Sequence, residues 1–114
     1  MSNPDRTVLV NRWFALTRRI LPAMAAGQRW PIRYDHCFMR VCLDEAMGAP
    51  WRQIVKRPAI HHMTDEQLAA AIDVAERIAA QPELLRPLNE RSLCQRGRRV
   101  GCASPHRSVT QAVE

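Results

Sequence analysis

Five polar side chains are of the types that a binding or catalytic site would need. His36, Arg40 and Asp44 follow one another at four-residue spacing, which places them on one face of a helix. His61 and His62 stand side by side further along the chain. Imidazole, guanidinium and carboxylate groups are residue types that often form the walls of binding and catalytic sites. We therefore take these five as the candidate binding residues.

The His36, Arg40 and Asp44 stripe has two interpretations. The surrounding helix is apolar on two other sides, so the stripe could form an internal ion network or one wall of a site. Alternatively, Arg40 and Asp44 pair at the surface one helical turn apart, and His36 lies in the same solvated seam. The second arrangement is the more ordinary one, because surface pairs of this kind are common.

The four cysteines offer little support for metal or nucleophilic chemistry. They stand at positions 37, 42, 94 and 102, and none forms a Cys-x-x-Cys pair. Cys37 and Cys42 would lie about 140° apart around a helix, so they do not converge on one ion. With no signal-peptide pattern at the N-terminus, we expect free thiols and a cytoplasmic location. We predict no metal, no cofactor and no catalytic residue.

The positive charge is concentrated near the C-terminal end. The net charge is +6, and residues 91–114 contribute five arginines against one glutamate. Residues 1–90 are nearly balanced, with 12 basic and 10 acidic side chains. Guanidinium groups on a flexible backbone neutralise phosphates without reading bases. We therefore expect Arg96, Arg98 and Arg99 to contact nucleic acid.

The apolar spacing predicts an all-α fold, a small bundle of about four helices with a flexible C-terminal tail. The helical domain spans residues 5–95 and the basic, disordered tail spans 96–114. The predicted helices cover 5–21, 33–47, 64–81 and the segment that begins at Pro82. No run of 18 apolar residues exists, so we expect no membrane span.

Single residues predict where these helices begin and end. In the first helix, Leu9, Trp13, Leu16 and Ile20 form the apolar face, and Pro22 should end or kink the helix. A short piece beyond it should stop at Gly27. Gly48 should end the second helix, and residues 51–55 could form one turn. Residues 59–63 are expected to be a loop or an extended link.

The third helix has the clearest start. Thr64 and Gln67 have the spacing of a capping box, and Met63 with Leu68 has that of a hydrophobic staple. In the last segment, Pro87 should introduce a kink or a break.

Two patterns bear on function beyond these elements. Arg98-x-x-Gly101-x-Ala103 resembles the signature with which GNAT acetyltransferases hold the pyrophosphate of acetyl-CoA on backbone amides.

The chain contains three tryptophans, Trp13, Trp30 and Trp51. A core this small does not easily bury three indole rings, and exposed tryptophan favours interfaces. The tryptophans therefore predict a protein partner or a homodimer.

A set of scattered residues across roughly positions 10–95 resembles short proteobacterial proteins that carry an acetyltransferase-like label. The resemblance rests on Trp30-Pro31, Tyr34-Asp35-His36-Cys37-Phe38, Arg40, Leu43-Asp44, Gly48, Trp51, Arg57-Pro58-Ala59, Met63-Thr64 and Leu93. Such proteins end soon after the Leu93 region, so residues 97–114 depart from them. The resemblance implies acetyl transfer, but it assigns no site residue.

Two function classes follow from the sequence. The first is a small non-catalytic helical binding protein that acts through a protein partner or self-association, with an Arg-rich tail able to contact nucleic acid. The second is an acetyltransferase-like enzyme that uses acetyl-CoA. We favour the first, because no convergent catalytic set is visible.

Overall fold

A computed structural model describes residues 4–97, and within them every regular element is helical. The elements run in the order α1 (Pro4–Ala15), a π turn (Leu16–Ile20), α2 (Leu21–Gln28), α3 (Asp35–Met47), a 3-10 turn (Trp51–Gln53), α4 (Ala59–His62), α5 (Asp65–Ala80), a second 3-10 turn (Pro82–Leu84) and α6 (Leu85–Gln95). The predicted all-α class is confirmed. Among these residues, no helix combines the length and apolar character needed to cross a bilayer.

The predicted second helical piece after the first helix is present as α2. The first helix does not end at Pro22 itself, because the chain passes through the π turn and enters α2 at Leu21. The backbone N–H of Leu21 donates to the carbonyl of Leu16, five residues back. This wider turn precedes the proline, which then occupies the first turn of α2, where its missing N–H does little harm.

The π turn also changes which side chains are buried. Ile20 and Leu21 were both expected on the apolar side; Ile20 is half-buried against the core, and Leu21 is fully buried. The extra residue in the turn rotates the following helix by about 100°, so the core-facing positions move along by one. Ala25 then follows Leu21 on the buried side.

The end of α2 differs from the prediction as well. The helix continues past Gly27 to Gln28, and Arg29 adopts the left-handed conformation with φ 55°. The backbone N–H of Trp30 donates to the carbonyl of Ala25 at 3.1 Å. This is the six-to-one hydrogen bond of a Schellman motif, with arginine in the position that glycine usually takes.

Helix α3 packs against both α5 and α6, and α1 packs against α5. The core between these helices buries four side chains of α3, those of Phe38, Val41, Cys42 and Leu43. Gly48 ends the helix with φ 70°, as predicted. The central position of α3 explains why its sequence is apolar on two sides.

The connection from α3 to α5 contains more helix than predicted. The expected turn after Pro50 is present over Trp51–Gln53. Residues 59–63, expected as a loop or extended link, form α4 at Ala59–His62 instead. The N–H of Met63 closes this turn onto the carbonyl of Ala59 at 2.9 Å, and the Met63 side chain is buried. Burial of Met63 thus stabilises a turn too short to be stable alone.

The predicted start of α5 is confirmed. The Thr64 hydroxyl accepts from the N–H of Gln67 at 3.0 Å, and the Gln67 side-chain oxygen accepts from the N–H of Thr64 at 2.9 Å. The two predicted staple residues, Met63 and Leu68, are both buried. The helix ends at Ala80, one residue before the expected position.

Pro87 does not break the last helix. It is the third residue of α6, where the backbone N–H groups lack partners within the helix in any case. The helix ends at Gln95 with Arg96 as its capping residue. The folded part of the chain therefore includes Arg96, which we had assigned to the tail, whereas residues 98–114 lie outside the described part.

Two of the three tryptophans belong to the core. Trp13 is 2% exposed and Trp30 is 6% exposed, while Trp51 is half-buried. The Trp30 ring meets Phe38 edge to face at 5.6 Å, and its Nε1 donates to the carbonyl of Pro82 at 3.2 Å. The expectation that a core this small does not easily bury its tryptophans was wrong for Trp13 and Trp30. The protein partner or homodimer stays a prediction without that support.

Candidate binding pocket

A pocket of about 380 Å³ opens between the α1–π segment, α3 and the connection that carries α4. Its walls are mostly apolar, formed by Trp13, Phe14, Met39, Leu43, Trp51 and Ile60. Its charged lining is entirely basic, from Arg18, Arg40 and Arg57, and His36 adds an imidazole. No carboxylate, hydroxyl or thiol side chain is among the described residues that line it.

The π turn forms one side of this pocket. The Thr17 hydroxyl donates to the carbonyl of Trp13 at 2.9 Å, a bond that occupies a backbone acceptor in the widened turn. Arg18 follows, and its guanidinium lies over the Phe14 ring at 3.8 Å. Such a cation–π contact holds the charge beside the apolar wall. π turns occur frequently at functional sites.

An exposed pair of rings stands beside His36 at the start of α3. Tyr34 and His36 stack with their centroids 5.9 Å apart and their planes 3° apart. The His36 side chain is 77% exposed, and its Nδ1 lies 3.6 Å from Asp35 Oδ1. Asp35 also approaches Arg18, with Oδ2 3.8 Å from its Nε. His36 and Arg18 therefore share one carboxylate next to the pocket.

Arg40 connects the pocket to α6. Its Nη1 donates to Ser92 Oγ at 2.7 Å, and its Nη2 donates to Asn89 Oδ1 at 2.8 Å. Both partners are buried and project from successive turns of α6. A guanidinium held at two nitrogens loses little further freedom when a ligand arrives, so α6 preorganises this wall of the pocket.

Asp44 is the buried centre of the polar network behind the pocket. Its side chain is 0% exposed and accepts four hydrogen bonds. Ser92 Oγ donates to Oδ2 at 2.6 Å, and the N–H of Trp51 donates to Oδ1 at 2.9 Å. Arg96 donates from Nε to Oδ2 at 2.7 Å and from Nη2 to Oδ1 at 2.9 Å. This set of donors offsets the cost of burying a carboxylate.

Of the two interpretations of the stripe, the internal ion network is correct. Asp44 is fully buried and its cationic partner is Arg96, 52 residues away, rather than a neighbour on the same helix. Ser92 links Asp44 to Arg40 by donating to one and accepting from the other. His36 remains at the surface, so only the first part of the stripe is solvated.

Arg96 is not exposed for nucleic-acid contact as we had expected. Its side chain is 15% exposed, and both donating nitrogens are directed at Asp44. Hydrogen bonding to that carboxylate raises the pKa of the Arg96 guanidinium, which keeps it charged. Arg98 and Arg99 lie outside the described residues, so nucleic-acid binding stays a prediction that rests on them.

The other two candidate histidines are not part of the pocket. His61 and His62 are exposed on α4, and neither lines the cavity although their neighbours Ala59 and Ile60 do. His62 Nδ1 lies 3.1 Å from the carbonyl of Pro58. The structure therefore brings His36 and Arg40 to one pocket and leaves this histidine pair outside it.

The cysteines do not supply a nucleophile at the pocket. Cys42 is fully buried, and desolvation raises the pKa of its thiol to about 12. Cys37 is half-buried and, like Cys42, a free thiol. Cys94 is disulfide-bonded, so the expectation of free thiols was wrong for that residue, and Cys102 lies outside the described part. Within residues 4–97, no three His, Cys, Asp or Glu side chains lie close enough to hold a metal ion.

Sequence reasoning missed several residues that form the pocket. Arg18 and Phe14 lie on the first helix, and Arg57 lies in the connection before α4. Their side chains meet only after three elements pack together, and no spacing along the chain signals that meeting. A local signal did exist for Asp44, because a carboxylate among apolar helical residues requires a buried partner.

No family model, curated protein or solved structure matches this chain. The resemblance to acetyltransferase-like proteobacterial proteins therefore stays a prediction. The chemical interpretation of the pocket rests on its own geometry, which combines apolar walls with guanidinium groups. Such a lining suits a ligand that has an apolar body and a negatively charged group.

Proposed function

We propose that this protein is a small non-catalytic binding protein whose pocket takes up an anionic ligand with an apolar body. The observation that carries the proposal is the pocket lining, in which eight apolar side chains stand beside three arginines and one histidine. Arginine binds carboxylates and phosphates through two parallel hydrogen bonds. The apolar walls lower the local dielectric, and this strengthens the attraction between those arginines and an anion.

The same lining argues against catalysis. Acyl transfer through an enzyme nucleophile needs a serine, cysteine or similar group beside a base. Among the described residues, no serine, threonine, cysteine, lysine, tyrosine, aspartate or glutamate lines the pocket beside His36. The buried Cys42 has its pKa raised to about 12, so it stays protonated.

The acetyl-CoA alternative gains no support from the described residues. A GNAT-type pyrophosphate site follows a strand, and the chain before the Arg98-x-x-Gly101-x-Ala103 pattern is helix α6. The pattern itself lies outside the described part. The pocket has the volume of only about a dozen water-sized groups, so it could hold no more than one end of acetyl-CoA.

Binding can be tested with anilinonaphthalene sulfonate, a fluorescent anion with an aromatic body. The native protein should give a saturable rise in fluorescence. Ala59→Trp fills the pocket from α4 without removing a charge, so it should abolish that signal. Ala70→Trp adds the same indole to the exposed side of α5 and serves as the control.

Two results would contradict the proposal. The first is a native protein that gives no saturable signal, or an Ala59→Trp variant that binds the probe as well as the native protein. The second is turnover, measured as release of free coenzyme A thiol from acetyl-CoA in the presence of amine acceptors. Either turnover or the absence of pocket binding would show that the non-catalytic binding function is wrong.

A further inference from the structure

The size of the pocket limits its ligand to a small molecule. Its volume is about 380 Å³, near the lower end of the range for small-molecule pockets. A space of this size suits a small ring system that carries a polar group.

The walls favour an aromatic body over a flexible chain. Phe14 and Trp51 come from different elements and are both half-buried, so each has ring surface left to cover. Aromatic rings gain from edge-to-face and offset contacts beyond simple burial. Met39 adds a thioether, which also makes favourable contacts with rings.

The charges favour a single carboxylate. Arg18 already has Asp35 at 3.8 Å, and Arg40 donates to Ser92 and Asn89. Arg57 is exposed, and within the described residues it makes no hydrogen bond or ion pair. One open guanidinium fork matches one planar carboxylate in a bidentate pair, whereas a doubly charged phosphate would need a second open fork.

We infer that the ligand of this pocket is a small aromatic monocarboxylate, with its carboxylate on Arg57 and its ring between Phe14 and Trp51. This inference rests on the proposed binding function and names the ligand class for it. A free organic acid satisfies every requirement that the lining sets.

The test compares four ligands that share or exchange the two features, using displacement of anilinonaphthalene sulfonate or calorimetry. Naphthoate has both the ring and the carboxylate, and naphthyl methanol keeps the ring without charge. Naphthyl phosphate changes the anion, and octanoate changes the body. We expect naphthoate to bind about tenfold more tightly than naphthyl methanol, since a hydrogen bond to a charged group is worth at least that factor.

The arginine that carries the carboxylate is tested by Arg57→Gln. This variant should reduce the preference for naphthoate over naphthyl methanol to less than about threefold. Arg52→Gln removes an exposed arginine that does not line the pocket, and the preference should remain. Circular dichroism checks that both variants fold. Should Arg57→Gln fail to fold, salt dependence in the native protein still tests whether the carboxylate is bound through its charge, because naphthoate binding should weaken from low to high salt while naphthyl methanol binding should not.

Several outcomes would overturn the inference. Equal affinity for naphthoate and naphthyl methanol would show that the pocket does not recognise a carboxylate. Tighter binding of naphthyl phosphate would show that the preferred anion is a phosphate. Tighter binding of octanoate would show that the pocket does not prefer an aromatic ring. An unchanged preference in Arg57→Gln would place the carboxylate elsewhere. In all these cases the binding function survives if anilinonaphthalene sulfonate still occupies the pocket. Loss of probe binding as well would overturn both proposals.

Discussion

Arg96 lies against Asp44 across 52 residues of chain, with Nε 2.7 Å from Oδ2 and Nη2 2.9 Å from Oδ1. This bidentate pair joins the C-terminal end of α6 to the last turn of α3. Since Asp44 also accepts from the backbone N–H of Trp51, the same carboxylate orients a wall of the pocket. Folding of the last helix and shaping of the pocket therefore depend on one buried charge.

Replacing this carboxylate should be costly. Asp44→Asn removes the charge while keeping the shape, and it leaves Arg96 largely buried without its counter-ion. We expect a loss of about 3 kcal/mol in the free energy of unfolding, near the lower limit for breaking a buried pair, because Arg96 retains some contact with water. Urea denaturation followed by circular dichroism measures this loss.

The matched control is Asp73→Asn, which breaks the exposed Asp73–Arg77 pair on α5. An exposed pair of this kind contributes less than about 0.5 kcal/mol. If both substitutions cost the same, the Arg96–Asp44 pair does not have the stabilising role assigned to it.

Asn89 should influence ligand binding without touching the ligand. It holds Arg40 Nη2 at 2.8 Å, and it is itself buried on α6 away from the pocket lining. Asn89→Ala leaves the Arg40 guanidinium freer before binding, so the ligand must order it; we expect the affinity for anilinonaphthalene sulfonate to fall by about three- to tenfold, the cost of ordering one side chain. Fluorescence titration gives the affinity, and Gln28→Ala at the exposed end of α2 provides the control. A variant with lower stability but unchanged affinity would show that Asn89 does not position Arg40.

The two free thiols of α3 should differ in reactivity. Burial raises the pKa of Cys42 to about 12, so almost no thiolate exists at pH 8. Cys37 is half-buried and should react with iodoacetamide first. Trypsin cleaves after Arg40, which separates the two cysteines into different peptides, and mass spectrometry then measures each rate. Labelling of both at equal rates in the native protein would mean that Cys42 is accessible, whereas equal rates are expected after unfolding in urea.

The Arg12–Glu76 ion pair between α1 and α5 should make stability depend on acidity. The hydrogen bond from Arg12 Nε, 2.8 Å long, lowers the pKa of Glu76. The stabilisation is therefore fully present above the pKa of Glu76 in the unfolded chain, about 4.3, and is lost as the pH falls through the lower folded-state value. Both side chains are largely exposed, so the effect should be less than about 1 kcal/mol.

Glu76→Gln removes this dependence, because glutamine does not titrate. Its free energy of unfolding should lie below that of the native protein at neutral pH and approach it in acid. Urea denaturation across the acidic range supplies the comparison. If the free energies of unfolding of the variant and the native protein differ by the same amount at every pH, Glu76 contributes no acid-dependent stability.

Local signals predicted the parts of the fold that depend on neighbours in sequence. The capping box of Thr64 and Gln67 and the glycine end at Gly48 each involve a few consecutive residues, and both were confirmed. Residues 59–63 were predicted wrongly for a different reason. Their helical turn is stabilised by burial of Met63, which local propensity does not encode.

The candidate site was predictable only in part. The four-residue spacing identified His36 and Arg40, and both line the pocket. It could not show that Asp44 turns inward to Arg96, because that contact depends on how α6 packs against α3. Arg57 carried no signal, since an isolated arginine before a proline has no helical face or motif to mark it.

The π turn has the form of a one-residue insertion in an otherwise regular helix. The buried residues before it and after it, Trp13 and Leu16 and then Leu21 and Ala25, fall into a single α-helical phase once one residue between them is left out. A chain without the exposed Arg19 would therefore keep the core register while losing the bulge. The extra residue does not serve the core, and its effect falls on the neighbouring Arg18 at the pocket. Adding or removing one residue at this turn would therefore change ligand recognition more than it would change folding.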